Sequence, residues 1–236
     1  MFYKTSAFSF PGPRKENQDF YITQPLDGER HVICIADGVG GRKGGAEASK
    51  TAVSVVKNTF LENTFTTMSA LFNNVHQTII NYGNANNLPE MATTLTVVYI
   101  DGNHITVGHV GDCRLYHLRG CGIITKTHDQ SEKQKLIDDG VLSRERALHY
   151  HRKNILLSVI ASDKQYELFE TKFQTASKDR LLLVSDGVYN ICTKKELLTL
   201  SQDSSNVNKW IDKISFFIQN KEVKDDYTAI ALEFID

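Results

Sequence analysis

Aspartates recur where apolar segments of the sequence begin or end. The segments HVICIAD, ITVGHVGD and RLLLVSD end at Asp37, Asp112 and Asp186, and Asp225 and Asp19 stand at the start of two others. A single aspartate in such a place most often caps a turn, so the inference depends on the recurrence. Because strands of one sheet system can bring their ends to a common edge, we expect these carboxylates to gather in a small volume.

Such a cluster of carboxylates needs compensation. Two unit charges about 4 Å apart repel by roughly 4 kcal/mol at an effective dielectric near 20, so either a positive charge lies among them or their pKa values rise. Arg14 is the obvious basic residue in these segments. A divalent cation, or a pair, compensates more simply, and oxygen ligands without His or Cys favour Mg²⁺ or Mn²⁺, with Ca²⁺ less suited to chemistry.

The segment 33–49, ICIADGVGGRKGGAEAS, has five glycines within eight residues directly after Asp37. A P-loop would need Lys and then Ser or Thr after its last glycine, Gly45, and a dinucleotide-binding loop would need a glycine in place of Lys43. Neither pattern fits. Glycines allow close backbone approach, so the carbonyl of Gly38 is predicted to reach a cation beside Asp37.

A site with two metal ions and carboxylate ligands has a defined chemistry. It lowers the pKa of a bridging water and neutralises charge on a phosphoryl group during in-line displacement. Arg14 lies five residues before Asp19, and an arginine offers a planar fork for two phosphate oxygens. The residues therefore predict hydrolysis of phosphomonoesters.

The composition is that of an ordinary globular protein: 236 residues, 41% hydrophobic and 23% charged, with a formal net charge of -1. Its basic residues are scattered, which argues against a nucleic-acid partner. The longest apolar runs, such as 181–184, fall far short of the roughly 20 residues of a membrane span, and the first residues lack a signal pattern. We expect a cytoplasmic monomer that binds neither nucleic acid nor membrane.

Branched residues predict strands, and apolar residues at every third or fourth position predict helices. The predicted strands are 19–23, 32–36, 94–100, 104–110, 114–118, 166–173, 181–185 and 227–234. Helical spacing covers 52–60, 68–79 and 207–218, and Thr193 with Glu196 forms a capping box for a further helix. The tripeptide DGN at 101–103 predicts a hairpin. With no linker in the chain, we predict one α+β domain, a sandwich of sheets with long helices outside.

Seven motifs in order resemble one family, the metal-dependent type 2C Ser/Thr protein phosphatases of the compact bacterial type. They are RKENQD (14–19), ADGVGGRKGGAEAS (36–49), ATTL (92–95), VGHVGDCRLY (107–116), THDQS (127–131), LLLVSDG (181–187) and KDDYTAI (224–230). The resemblance covers essentially the whole chain. It implies a four-layer αββα sandwich of two antiparallel sheets flanked by helix pairs, forming a single domain over 1–236 with a flap at about 130–152.

The resemblance also implies roles for the residues at matching positions. Asp37 resembles the carboxylate that bridges two Mn²⁺ or Mg²⁺ ions, Gly38 a backbone-carbonyl ligand, and Asp186 and Asp225 ligands of the first ion. Arg14 resembles the phosphate-binding arginine. Two further aspartates also match: Asp19 is similar to the residue that holds metal-bound waters, and Asp112 to the one that binds a weaker third ion together with Asp186.

The sequence departs from the family pattern at five positions: Gln18 replaces a frequent Glu, Val39 a histidine proposed as the general acid in some members, Ala92 the usual Gly before TTL, Gln130 a common His, and Asn190 an acidic residue of some members. The general acid therefore stays unassigned. The resemblance implies phosphorylated proteins, the targets of a Ser/Thr kinase, as partners in signalling. The alternative is a catalytically silent module that binds phosphoproteins; silent members typically lose metal aspartates, which this chain keeps.

Overall fold

Twelve strands and seven helices make up the computed structural model over the residues that it describes, 2–13, 16–40, 43–152 and 154–235. The strands are Phe2–Phe10 (β1), Asp19–Pro25 (β2), Arg30–Asp37 (β3), Ala92–Thr93 (β4), Leu95–Asp101 (β5), His104–Val110 (β6), Arg114–Arg119 (β7), Gly122–Thr125 (β8), Ile160–Ala161 (β9), Phe169–Gln174 (β10), Arg180–Val184 (β11) and Tyr227–Ile235 (β12). The helices are Gly45–Leu61 (α1), Met68–Ala85 (α2), Glu132–Asp138 (α3), Arg144–Ala147 (α4), Asp186–Tyr189 (α5), Lys194–Gln202 (α6) and Val207–Gln219 (α7).

The long strands form two antiparallel five-stranded sheets. Their strand orders are β1-β12-β11-β7-β8 and β10-β6-β5-β3-β2, and a small third sheet pairs β4 with β9. The inner faces of the two large sheets pack on each other through fully buried branched side chains: Ile33, Ile35, Val98 and Ile100 from one sheet, and Leu181, Leu183, Ile230 and Leu232 from the other. Burying each such side chain contributes about 1.5–3 kcal/mol to folding.

A pair of helices covers the outer face of each sheet. Because successive side chains of a strand point to opposite faces, Val32 and Cys34 of β3 pack against α1 and α2 instead of the second sheet. On the other side, Leu182 of β11 and the fully buried Trp210 of α7 belong to a separate outer core. Three cores between four layers make the αββα sandwich, so the predicted fold is confirmed.

All eight predicted strands are present within a few residues of the predicted limits. The hairpin at 101–103 is also present: Asp101 pairs with His104, and Gly102 between them has a φ of 58°, which favours glycine. The capping box of Thr193 and Glu196 begins α6. Within the described ranges, no helix has the length and apolar character needed to cross a membrane.

Candidate functional site

A cleft of about 150 Å³ lies where strand ends of both sheets meet. Four carboxylates line it, from Asp37, Asp112, Asp186 and Asp225. They come from the end of β3, the turn after β6, the start of α5 after β11, and the residues before β12. The structure thus brings together four of the aspartates that the strand-end pattern singled out. The cleft is completed by Gly38, Val39, Gly40, Thr94, Asn154 and Leu156.

The backbone of Asp37 is held by the two threonines of the ATTL motif. Its N–H donates to Oγ1 of Thr94 at 3.0 Å, and its carbonyl oxygen accepts from the N–H of Thr94 at 2.8 Å and from Oγ1 of Thr93 at 2.9 Å. Both threonines are buried. Three hydrogen bonds therefore fix the last residue of β3, from which the Asp37 side chain enters the cleft.

Gly38 meets the start of α1. A Cβ atom at this position would lie 2.5 Å from the carbonyl carbon and oxygen of Gly45, which real Cβ atoms do not tolerate. Glycine is thus required at 38 so that the helix can begin beside the cleft. The close backbone approach that the sequence predicted for this loop occurs between Gly38 and Gly45. Gly41 and Arg42 of the same loop lie outside the described residues.

Asp19 lies behind Asp37 and is not among the residues that line the cleft. It is 4% exposed, and its Oδ2 accepts a hydrogen bond from Oγ of Ser185 at 2.7 Å. Its Oδ1 is buried without a hydrogen-bond partner among the described residues. Burial, opposed by this hydrogen bond, raises the pKa of Asp19 to about 6.

The electrostatics of the cleft are those of crowded carboxylates. Burial raises the pKa of Asp37 well above its ordinary value, and the charges of Asp19, Asp186, Asp112 and Asp225 raise it further. The pKa of Asp112 is raised to about 6, first by burial and then by the charge of Asp129. Ionised carboxylates in the cleft are therefore unfavourable unless a cation binds among them.

Two side chains of the segment 186–190 hydrogen-bond to cleft carboxylates. The phenol of Tyr189 donates to Oδ2 of Asp112 at 2.9 Å, and the amide of Asn190 donates to Oδ2 of Asp186 at 3.3 Å. Sequence reasoning missed Tyr189, because its partner lies 77 positions away in the chain.

Asp225 and its neighbour Asp226 have different surroundings. Asp225 lines the cleft, whereas the buried carboxylate of Asp226 accepts from the N–H of Gly12 at 2.8 Å and from the N–H of Gln18 at 2.7 Å. Asp226 thereby ties both ends of the segment 12–18 to the start of β12. Arg14, predicted to bind phosphate, belongs to this segment and lies outside the described residues.

The donor set of the cleft suits a hard divalent cation. All charged side chains that line it among the described residues are carboxylates, and Mg²⁺ and Mn²⁺ bind oxygen ligands. Across the described ranges, however, no three His, Cys, Asp or Glu side chains are grouped so that they could hold one ion by themselves. Ligands other than these side chains, such as the Gly38 carbonyl and water, would have to complete the coordination.

The segment predicted as a flap contains α3 and α4, and the cleft residues Asn154 and Leu156 follow it in the chain. Gln130 joins it to the turn before Asp112: its Oε1 accepts from the N–H of Gly111 at 2.8 Å, and its Nε2 donates to the carbonyl of Glu167 at 2.8 Å. Farther along, Glu132 accepts from the phenol of Tyr150 and pairs with Arg152 at 2.7 Å. The amide at 130 therefore replaces the family's frequent histidine with a structural link.

Comparison with known proteins gives consistent matches over most of the chain. The family model described as protein phosphatase 2C matches residues 14–226. The serine/threonine phosphatase stp of Listeria monocytogenes serotype 4b is 28% identical over 213 residues, covering 86% of this chain and 84% of that protein. The protein phosphatase PhpP of Streptococcus pneumoniae is 30% identical over 194 residues, covering 78% of each chain.

A solved structure matches the fold. The catalytic domain of the serine threonine protein phosphatase PstP, in complex with two manganese ions, superposes with a TM-score of 0.84 at 23% identity, over 99% of each chain. At this identity the likeness establishes the shared architecture of the two chains.

Proposed function

Because the chain belongs to the protein phosphatase 2C family and is a protein-serine/threonine phosphatase, we propose that the acidic cleft is its active site and hydrolyses phosphoserine and phosphothreonine monoesters with the help of two Mn²⁺ or Mg²⁺ ions. The observation that carries the proposal is the meeting of Asp37, Asp112, Asp186 and Asp225 in one cleft. When bound, such ions would lower the pKa of a water nucleophile and offset the charge of the phosphoryl group.

The residues proposed to hold the ions are those that match the family's ligand positions, and all of them except Asp19 line the cleft. Asp37 would contact both ions, Asp186 and Asp225 would bind the first of them, and the Gly38 carbonyl would be a backbone ligand. Asp112, with Asp186, would hold a weaker third ion. Asp19 lies behind Asp37 and would reach the ions through water.

Arg14 is proposed to bind the phosphate of the substrate. The guanidinium matches two phosphate oxygens at once, and the segment that carries it is anchored at Gly12 and Gln18 by Asp226, next to the cleft residue Asp225. Arg14 and Asp37 are thus the proposed catalytic residues. Val39 lines the cleft and cannot transfer a proton, so protonation of the leaving alkoxide is left to water or to an unassigned group.

The wider setting proposed for the protein is signalling in the cytoplasm. Its partners would be phosphoproteins made by a Ser/Thr kinase, and it would act as a monomer without binding nucleic acid or membrane. A catalytically silent module is not favoured, because the family's metal aspartates are all retained in the chain.

The direct test is phosphate release from a phosphothreonine peptide by metal-stripped protein to which Mn²⁺ or Mg²⁺ is returned. We expect turnover that depends on the ion and is absent in Asp37→Asn. A folded protein that releases no phosphate with excess Mn²⁺ contradicts the proposal. Calorimetry that detects phosphopeptide binding without turnover would instead support the silent module.

A further inference from the structure

The short helix α5 connects two of the cleft carboxylates. Asp186 is its first residue and Tyr189 its last. The phenol of Tyr189 donates to Oδ2 of Asp112, which follows β6 of the opposite sheet, at 2.9 Å. This single turn of helix therefore carries the carboxylate of Asp186 and, through Tyr189, donates a hydrogen bond to the carboxylate of Asp112.

The ring of Tyr189 is held in place by a fixed cation. The guanidinium carbon of Arg114 lies 3.7 Å from the ring centroid. Arg114 in turn makes a bidentate pair with the buried Asp129, from Nε to Oδ1 at 3.0 Å and from Nη2 to Oδ2 at 2.6 Å. A planar guanidinium held at its Nε–Nη2 edge by a carboxylate keeps its plane over the ring, and cation–π attraction favours the stack.

The chain of contacts thus runs from Asp129 through Arg114 and Tyr189 to Asp112. Asp112 and Arg114 are separated by the buried Cys113 alone, so the contacts close a small loop around the turn between β6 and β7. One oxygen of the Asp112 carboxylate accepts a hydrogen bond from Tyr189. The position of Tyr189 is itself fixed by the helix that carries it and by the guanidinium stacked on its ring. Partners of this kind orient metal-binding side chains in proteins, and losing one typically lowers metal affinity or activity about 10–100-fold.

We propose that Tyr189 is a positioning residue that fixes Asp112 relative to Asp186, so that the two carboxylates are presented as one unit to a divalent cation. This inference rests on the proposed function of the cleft. It assigns to Tyr189 no contact with substrate; the residue acts through Asp112.

The test is Tyr189→Phe, which removes the hydroxyl and keeps the ring stacked under Arg114. Mn²⁺ binding to the metal-stripped protein is followed by the EPR signal of free Mn²⁺, without substrate. We expect the weakest class of bound ions to lose affinity about tenfold while the tighter ions are unaffected. In turnover, the Mn²⁺ concentration for half-maximal rate should rise, and the rate at saturating Mn²⁺ should recover.

The matched control is Tyr166→Phe. This phenol donates to Oδ1 of Asn73 at 2.6 Å, away from the cleft, and its loss should leave Mn²⁺ binding unchanged. Tyr189→Phe with wild-type affinity for every ion, or an equal loss in both variants, overturns the inference alone. Wild-type protein that binds no Mn²⁺ overturns the proposed function, and this inference with it.

Discussion

Asp19 lies directly opposite Asp37 in the antiparallel pairing of β2 with β3. Like charges in such a pair destabilise a sheet, and here Asp19 is buried and Asp37 partly buried, so the pKa of Asp37 is well above its ordinary value and that of Asp19 is about 6. Hydrophobic cores on both sides of the sheet stabilise the strands that impose this pairing. The fold therefore places two acids together at a cost to stability, which is expected of a binding site.

Asp37→Asn is expected to change stability and activity in opposite directions. Removing the central charge should stabilise the metal-free protein by up to about 1 kcal/mol, because it relieves the repulsion with Asp19. The same change should abolish Mn²⁺ binding at the two-ion site and phosphatase turnover. Urea unfolding in the presence of chelator measures the first effect, and phosphate release measures the second.

Asp27→Asn is the matched control for this experiment. Asp27 lies in the turn between β2 and β3, and its side chain is fully exposed, so its neutralisation should alter neither quantity. Near wild-type turnover by Asp37→Asn would remove Asp37 from the proposed mechanism.

The buried His109 predicts a loss of stability in acid. Its Nε2 lies 3.1 Å from the carbonyl oxygen of His128 and so donates, while its Nδ1 accepts from Oγ1 of Thr96 at 2.8 Å. Burial lowers the pKa of His109 to about 4. In the unfolded chain this histidine becomes protonated below about pH 6.5, whereas in the folded protein it stays neutral until about pH 4. The free energy of unfolding should therefore fall between these two pH values by on the order of 3 kcal/mol.

Carboxylates in the cleft and behind it titrate in the same window with the opposite sign. The pKa values of Asp19 and Asp112 are raised to about 6, so the metal-free protein gains stability from them as the pH falls from about 6 towards their ordinary value. A variant is therefore needed to separate the contribution of His109 to the pH dependence of stability from that of the aspartates. In urea unfolding from pH 7.5 to 4.5, His109→Gln should lose less stability on acidification than wild type, and His149→Gln, in the exposed part of the flap, should match wild type. Parallel pH profiles for His109→Gln and wild type would refute this.

The sequence was sufficient to predict the strands that are buried on both faces of their sheet. Strand β3 is almost continuously apolar because it packs on helices with one face and on the second sheet with the other. The edge strands β1 and β8 escaped prediction, since most of their side chains are only partly buried and their pattern is weak. The aspartates of the cleft followed from their strand ends, whereas the bond from Tyr189 to Asp112 depends on tertiary packing alone.

Arg14→Ala is expected to raise KM for a phosphothreonine peptide. A hydrogen-bonded contact with a charged group contributes roughly 1.5 to 3 kcal/mol, which corresponds to a rise of about 10- to 150-fold. Arg14→Lys keeps the charge but loses the planar fork, so its KM should lie between those of the alanine variant and wild type. Steady-state kinetics at saturating Mn²⁺ provides the comparison. An unchanged KM in Arg14→Ala would take this residue out of the substrate site.

Asp225 and Asp226 offer an isosteric pair of substitutions with opposite expected effects. Asp226→Asn places an amide donor against the N–H of Gly12 or Gln18, both of which now donate to the carboxylate, and should destabilise the metal-free protein by about 1–3 kcal/mol. Asp225→Asn keeps an acceptor for the N–H of Asp226 and removes one charge from the cleft. It should leave stability nearly unchanged and reduce Mn²⁺ binding and turnover.

Urea unfolding with chelator and Mn²⁺ titration of both variants separate the two roles. The ranking is what matters: Asp226→Asn should be the less stable protein and Asp225→Asn the weaker Mn²⁺ binder. Once folded, Asp226→Asn should still bind Mn²⁺, because Asp226 does not line the cleft. Should Asp225→Asn unfold first, or bind Mn²⁺ as wild type does, the carboxylate before β12 would be a structural group and the proposed ligand set would lose a member.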